Sequence, residues 1–171
     1  MKIPFLDLKA VNAPYKEAFN QTFESFQEKG WYVLGEEVRL FEEEFATYCG
    51  TQHCIGTANG LDALRLILEV YKILGKLSEG DEVLVASNTY IATILSIKQA
   101  SLVPVLVEVE TKTYNFYFRD LDEKVTGKTR VVMPTHLYGQ LADMEQILAF
   151  AKANNLLIMT DCAQAHGAQD K

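Results

Sequence analysis

Residues 156–167 read L-L-I-M-T-D-C-A-Q-A-H-G. The mainly apolar run 156–160 predicts a strand buried on both faces of a sheet, and Asp161 follows directly after it. An aspartate at the end of such a strand is costly to bury unless it has a cationic partner. The small residues that follow leave room for a ligand ring. We therefore favour a functional role for Asp161 over the alternative that it only caps a turn.

Other apolar runs of the same kind precede this one. The predicted strands before it are 54–58, 82–86, 102–109 and 130–134, and the predicted helices are 15–28, 36–48, 61–74, 89–99 and 143–153. Continuous apolar strands that alternate with helices are typical of a parallel sheet covered on both sides. The sequence therefore predicts an α/β fold, a mainly parallel sheet with helices on both faces. We expect an N-terminal arm over residues 1–35 and the sheet domain over residues 36–171.

The composition predicts a globular chain and limits its partners. The 171 residues are 49% hydrophobic and 23% charged, and the net charge is -7. A general nucleic-acid binder would show a basic surface instead. No apolar run approaches the ~20 residues of a membrane helix, and no signal peptide is recognised. The three cysteines lack zinc-binding spacing. We therefore expect a cytoplasmic protein with no nucleic-acid partner and no membrane partner.

Three more predicted strand ends carry residues suited to a ligand. Asn59-Gly60 turns the chain into a helix whose free N–H groups would hold a phosphate, although the same turn could merely cap that helix. Tyr90 could lie flat on a planar ring and His136 could contact a cofactor or substrate, but for both a structural role is the preferred interpretation. Ligands of parallel sheets bind outside the carboxyl ends of the strands. All of these positions are therefore expected to line one crevice with Asp161.

An aromatic loop lies in the predicted arm, where residues 30–35 read G-W-Y-V-L-G. Trp31 and Tyr32 offer flat surfaces for a nucleotide base or a sugar ring. Packing of the arm on the domain is the preferred interpretation of the same two residues.

Several strings, taken together in order and spacing, resemble the DegT/DnrJ/EryC1/StrS sugar aminotransferases, which have the aspartate-aminotransferase-like fold. The strings are F-L-D-L-K, G-W-Y-V-L-G-E-E-V, A-N-G-L-D-A-L, G-D-E-V-L-V, T-Y-I-A-T, H-L-Y-G-Q-L-A-D-M and D-C-A-Q-A-H-G-A. They extend over essentially the whole chain. A-N-G-L-D-A-L with H-L-Y-G-Q is most similar to members that aminate C3 of dTDP-linked 6-deoxy-ketohexoses. The resemblance implies part of the large domain of that fold.

The resemblance also implies pyridoxal 5'-phosphate as the cofactor and assigns residues to it. Gly60 and Leu61 match the phosphate-binding turn, and Tyr90 matches the aromatic residue that stacks on the pyridine ring. Asp161 matches the carboxylate on the ring nitrogen, and Gln164 matches the residue near the phenolic oxygen. Many members have Ser or Thr where this chain has Leu61, so a hydroxyl contact with the phosphate is lost there.

By the same resemblance, the full-length protein would transfer an amino group, with glutamate as the expected donor, to a nucleotide-linked keto sugar. This reaction serves amino-sugar biosynthesis for lipopolysaccharide or another glycan, and the resemblance implies a homodimer. In the family, the lysine that forms the resting Schiff base follows the D-x-A-Q-A-H-G segment. That lysine is expected beyond Lys171, which lies too close to the motif to match, together with the rest of the large domain.

Other functions stay open. A sugar dehydratase of the same fold carries a histidine in place of the lysine and transfers no amine. A non-catalytic remnant or binding module is a further alternative, which a natural stop codon after Lys171 would favour. A nicotinamide-binding Rossmann domain is a rival for the fold, and it ranks last because the G-x-G-x-x-G fingerprint is missing.

Overall fold

A computed structural model describes residues 3–169, so the prediction about Lys171 lies outside the described residues. The chain divides between Gly56 and Thr57 into two compact units. The division into an arm over 1–35 and a domain over 36–171 stays a prediction.

The first unit is helical. Its helices are α1 (Leu8–Asn12), α2 (Lys16–Lys29) and α3 (Glu36–Cys49), with a 3₁₀ turn at Ala13–Tyr15 between the first two. The helices α2 and α3 each end at a glycine in the left-handed region, Gly30 at φ 65° and Gly50 at φ 67°. Glycine adopts this conformation without a steric penalty, which explains both stops.

The predicted strand at 54–58 is wrong, because the described structure has no strand there. The backbone N–H of Gly56, which a strand would use in a ladder, instead donates to Oε1 of Glu42 at 2.6 Å. An apolar run becomes a strand only where a neighbouring strand pairs with it.

The second unit carries the sheet. Its elements are α4 (Gly60–Ile73), β1 (Glu82–Ala86), α5 (Ile91–Gln99), β2 (Val103–Val107), α6 (Phe118–Glu123), β3 (Thr129–Met133), a 3₁₀ turn (Leu137–Gly139), α7 (Met144–Ala153) and β4 (Leu157–Ile158). The strands pair in parallel in the order β2-β1-β3-β4. The prediction of a parallel α/β sheet is confirmed, with four strands in the described residues where five were expected.

The sheet is covered on both faces. Successive residues of a strand point to opposite sides. Val83 and Val85 of β1 pack with residues of α4 and α5 in one apolar cluster, whereas Leu84 packs with residues of α6 and α7 in the other. This confirms the prediction of helices on both faces. The carboxyl ends of β1, β3 and β4 are thereby left as an edge between two packed layers.

Within residues 3–169, no helix combines the length and the apolar character that a membrane crossing requires. The same residues contain no group of three or more His, Cys, Asp or Glu side chains arranged to hold a metal ion.

Candidate functional site

A cavity of about 410 Å³ lies in the second unit, at the carboxyl ends of the strands. Five residues that the family resemblance assigned to a cofactor line it, namely Gly60, Leu61, Tyr90, Asp161 and Gln164. They come from the start of α4, the start of α5 and the segment after β4. The fold therefore brings together residues that are about a hundred positions apart in the chain.

A larger depression of about 710 Å³ is the less suitable site for an anionic cofactor. Its lining includes three carboxylates, those of Glu110, Asp143 and Glu145, and none of the predicted site residues. Like charges would oppose the binding of a phosphate there. The smaller cavity, with a helix N-terminus in its wall, is electrostatically the better match.

The backbone of Asp161 is held by the segment that continues β3. Its N–H donates to the carbonyl oxygen of Pro134 at 2.9 Å, and its own carbonyl oxygen accepts from the N–H of His136 at 3.0 Å. A parallel bridge also joins Asp161 to Thr135. These bonds extend the pairing of β3 and β4 to the edge of the cavity and fix where the side chain starts.

The half-buried carboxylate of Asp161 has two neutral hydrogen-bond donors. Oδ2 accepts from the hydroxyl of Thr93 at 2.8 Å, and Oδ1 accepts from the backbone N–H of Ala163 at 3.2 Å. Among the described residues, no lysine or arginine forms an ion pair with it. The negative charge is thus available to a cation in the cavity, as the sequence argument required.

The N-terminus of α4 offers free backbone donors to the same cavity. Asn59 caps the helix, because its Oδ1 accepts from the N–H of Asp62 at 2.9 Å, so the predicted cap exists. No acceptor within residues 3–169 is recorded for the N–H groups of Gly60 and Leu61. A Cβ added at Gly60 would meet no atom within 4 Å, so a ligand can approach the backbone closely. Free N–H groups and the helix dipole together suit a phosphate.

Tyr90 stands at the N-cap of α5 with extended backbone. Its side chain is 73% exposed and lines the cavity. The preferred interpretation, that this tyrosine packs in the core, is therefore wrong. An exposed aromatic ring in the cavity wall is suited to contact the face of a planar ligand.

The amide of Gln164 has a fixed orientation. Its Oε1 accepts a hydrogen bond from the backbone N–H of Tyr138 at 2.9 Å. Because the oxygen is the acceptor, the nitrogen is the other end of the amide and keeps two N–H donors for a ligand. Tyr138 adopts the left-handed region with φ 59°, an uncommon conformation for a residue with a Cβ.

His136 is 4% exposed and is not among the residues that line the cavity. Its Nδ1 accepts from the backbone N–H of Ala142 at 3.0 Å, so the neutral ring carries its proton on Nε2. Burial lowers the pKa of His136 from its ordinary value, and the negative charge of Asp161 opposes that shift more weakly. This environment favours the structural role over direct contact with a substrate.

Trp31 and Tyr32 belong to the first unit. The indole N–H of Trp31 donates to the carbonyl oxygen of Val33 at 2.7 Å, and the ring of Tyr32 lies 5.0 Å from that of Phe26. Both side chains are exposed. Their role in binding a nucleotide or sugar stays a prediction.

The sequence reasoning missed the threonines around Asp161. Thr93 is fully buried in α5, and Thr135 lines the cavity after β3. A hydroxyl group inside the apolar string I-A-T-I-L would have been the signal, since a buried polar group needs a hydrogen-bond partner.

A helix N-terminus, an exposed aromatic ring and a strand-end carboxylate line one cavity of this α/β domain, an arrangement suited to a flat ligand that carries a phosphate and a positively charged ring. The chain belongs to the DegT/DnrJ/EryC1/StrS aminotransferase family, whose sequence profile matches residues 14–171. The predicted resemblance is thereby confirmed.

Two curated relatives illustrate the likeness. The chain is 52% identical over 166 residues to a dTDP-3-amino-3,6-dideoxy-alpha-D-galactopyranose transaminase from Aneurinibacillus thermoaerophilus, covering 97% of this chain and 45% of the relative. It is 39% identical over 168 residues to a dTDP-3-amino-3,4,6-trideoxy-alpha-D-glucose transaminase from Streptomyces venezuelae, covering 98% of this chain and 43% of the relative. The chain thus spans less than half the length of these relatives.

Solved structures confirm the fold class. DesV of S. venezuelae, in complex with a ketimine intermediate, matches with a TM-score of 0.89 at 38% identity, over 97% of this chain and 44% of DesV. NtdA of Bacillus subtilis, with bound cofactor PMP, matches with a TM-score of 0.90 at 28% identity, over 99% of this chain and 38% of NtdA. The fold is that of the corresponding part of these aminotransferases.

Proposed function

We propose that the complete protein carrying this chain is a pyridoxal 5'-phosphate-dependent aminotransferase acting on a nucleotide-linked keto-deoxysugar. The observation that carries the proposal is the convergence of the α4 N-terminus, the Tyr90 ring and the Asp161 carboxylate on one cavity. The names of the two relatives, both dTDP-3-amino-sugar transaminases, favour a dTDP-linked sugar aminated at C3. Glutamate is the proposed amino donor, and a cytoplasmic homodimer is the proposed form.

The described residues fit this cofactor by charge. The free N–H groups of Gly60 and Leu61 suit its phosphate, and the carboxylate of Asp161 suits a protonated pyridine nitrogen. When bound, the cofactor supplies an electron sink, because its protonated ring withdraws charge from the carbon that gains or loses the amino group.

The residues of this chain would hold the ring and its charge in place. Asp161 would keep a proton on the ring nitrogen, since a nearby negative charge favours the charged form. Gln164 would offer an N–H donor to the phenolic oxygen, and the exposed ring of Tyr90 would contact a face of the cofactor ring. With its oxygen occupied by Tyr138, the amide of Gln164 needs no reorientation before it binds.

The sugar nucleotide needs contacts of its own. We propose Trp31 and Tyr32 as candidates, because both carry exposed aromatic rings. His136 is the weaker candidate, because its ring is buried and its Nδ1 is already bonded to Ala142.

The test is amino transfer by the complete protein. Glutamate and a dTDP-linked 3-keto-6-deoxyhexose are supplied with the cofactor, and the products are identified by mass spectrometry. We expect an amino sugar and 2-oxoglutarate in equal amounts. A deoxygenated sugar without nitrogen would instead identify a dehydratase, and the absence of any reaction would favour a non-catalytic protein.

A second measurement locates the reactive lysine. Borohydride treatment of the loaded protein followed by peptide mapping should find the cofactor attached to a lysine outside residues 1–171. Stoichiometric attachment to one lysine within 1–171 would overturn this assignment.

A further inference from the structure

Three threonine hydroxyls form a continuous hydrogen-bonded chain that ends on Asp161. Thr135 and Thr89 lie 2.9 Å apart between their Oγ1 atoms, and Thr89 and Thr93 are also 2.9 Å apart. Thr93 donates to Oδ2 of Asp161 at 2.8 Å. The chain therefore connects the end of β3, the loop after β1, the buried face of α5 and the segment after β4.

The direction of every bond in this chain follows from the number of protons. A threonine hydroxyl has one proton to donate, and an ionised carboxylate only accepts. The proton of Thr93 is used on Asp161, so Thr93 must accept from Thr89. The proton of Thr89 is used in turn, so Thr89 must accept from Thr135. Each hydroxyl thus points toward the carboxylate.

The two ends of the threonine chain are shielded from water. Thr93, which contacts Asp161, is fully buried and Thr135, at the other end, is 7% exposed. Thr89 between them is half-buried. Hydrogen bonds are electrostatically stronger in such surroundings, and bonds aligned in one direction polarise one another. An ordered row of three hydroxyl dipoles with their positive ends toward the carboxylate favours its negative charge.

We propose that Thr93 is a positioning residue for Asp161, and that Thr89 acts through Thr93 by holding its hydroxyl in the donor orientation. This inference rests on the proposed function, since it concerns the carboxylate assigned to the ring nitrogen. It predicts that the threonine chain determines how strongly the site distinguishes a ring with a protonated nitrogen from a ring without one.

The experiment compares two ligands in the complete protein. The dissociation constants of pyridoxal 5'-phosphate and of its 1-deaza analogue, in which C–H replaces the ring nitrogen, are measured by absorbance titration. We expect the natural protein to prefer the nitrogen-containing ring. Thr93→Val should lower that preference by about tenfold, because one hydrogen bond to a charged group is lost. Thr93→Ser, which keeps the hydroxyl, should preserve it.

A double-mutant cycle separates action through Thr93 from a merely structural effect. Thr89→Val should lower the preference in the natural background and have no further effect beside Thr93→Val. The matched control is Ser96→Ala, because Ser96 is also buried in α5 and donates to the carbonyl oxygen of Thr93 at 2.7 Å without touching Asp161. This control should keep the natural preference.

The possible results distinguish a failure of the threonine chain from a failure of the Asp161 assignment. A folded Thr93→Val protein with the natural preference, or additive effects in the cycle, would overturn the role of the threonine chain alone. Equal binding of the two ligands by the natural protein would overturn the assignment of Asp161 and the chain together. If Thr93→Val does not fold, Thr89→Val and Thr89→Ser decide, because only the valine variant should lower the preference.

Discussion

The backbone N–H of Tyr138 and the side-chain oxygen of Gln164 are joined by a 2.9 Å hydrogen bond that crosses from the turn after β3 to the segment after β4. This bond links two loops of the cavity wall and leaves the amide nitrogen of Gln164 as the group offered to a ligand. The oxygen of Gln164 thus holds the two loops together, and its nitrogen stays free to bind a ligand.

Gln164→Glu should therefore weaken cofactor binding without loosening the loop. Glutamate keeps an oxygen for the N–H of Tyr138 but replaces the N–H donor with a negatively charged acceptor opposite the phenolic oxygen. We expect the thermal midpoint to stay close to that of the natural protein and the dissociation constant for pyridoxal 5'-phosphate to rise by about tenfold or more. Unchanged affinity in a titration would show that the nitrogen of Gln164 does not contact the cofactor.

Asp161→Asn should leave the fold intact and severely reduce turnover. The asparagine oxygen can still accept from Ala163, and its NH₂ group can donate to Thr93 if the hydroxyls of the threonine chain reverse direction. The lost charge no longer retains the proton on the ring nitrogen, a change of about 1.5–3 kcal/mol for the contact alone. Circular dichroism should match the natural protein while kcat falls at least tenfold. Near-normal steady-state rates would mean that Asp161 serves only to hold its segment.

Gly60→Ala should affect the phosphate rather than the fold. The added Cβ meets nothing within 4 Å in the protein itself, so stability should be retained. It would occupy space that a phosphate needs to reach the first N–H groups of α4. We expect affinity for pyridoxal 5'-phosphate to fall by about tenfold.

The control for this substitution is Gly127→Ala, which also places a Cβ in open space but does not line the cavity. Its cofactor affinity should equal that of the natural protein. Equal losses in both variants would show that the effect does not arise at the phosphate site.

Stability should decrease in mild acid because of His136. Burial places the pKa of its folded form below the ordinary value of 6.5, so between those two values the unfolded chain binds more protons than the folded chain. The free energy of unfolding must then fall as the pH drops through that interval, and the loss levels off below the folded-state pKa.

His136→Asn tests this dependence, because asparagine offers an oxygen to the N–H of Ala142 but does not titrate there. Urea unfolding at a series of pH values should show a smaller acid-induced loss in the variant than in the natural protein. The same loss in both proteins would assign the acid sensitivity to other groups.

The central strands could be predicted from the sequence because each is a short apolar run that finds parallel partners, as 82–86 does between β2 and β3. The run 54–58 looked similar and failed, since periodicity does not reveal whether a partner strand exists. The position of Asp161 in the cavity wall could be predicted, because a carboxylate directly after a buried apolar strand needs a polar or cationic partner. Thr93 was missed because its hydrogen-bond acceptor, the carboxylate of Asp161, lies 68 positions further along the chain. A threonine in a helix gives no sign of such a distant partner.

The strand order β2-β1-β3-β4 has a consequence for the time course of folding. Thr93 precedes β2, yet its hydroxyl meets a carboxylate that follows β4, so their contact closes a loop of most of the second unit. Contacts between residues far apart in sequence form slowly, because the entropy of the intervening chain is lost first. We expect the ring-binding end of the cavity to be among the last parts of this unit to assemble. The cofactor would then bind only to molecules in which the second unit is completely folded.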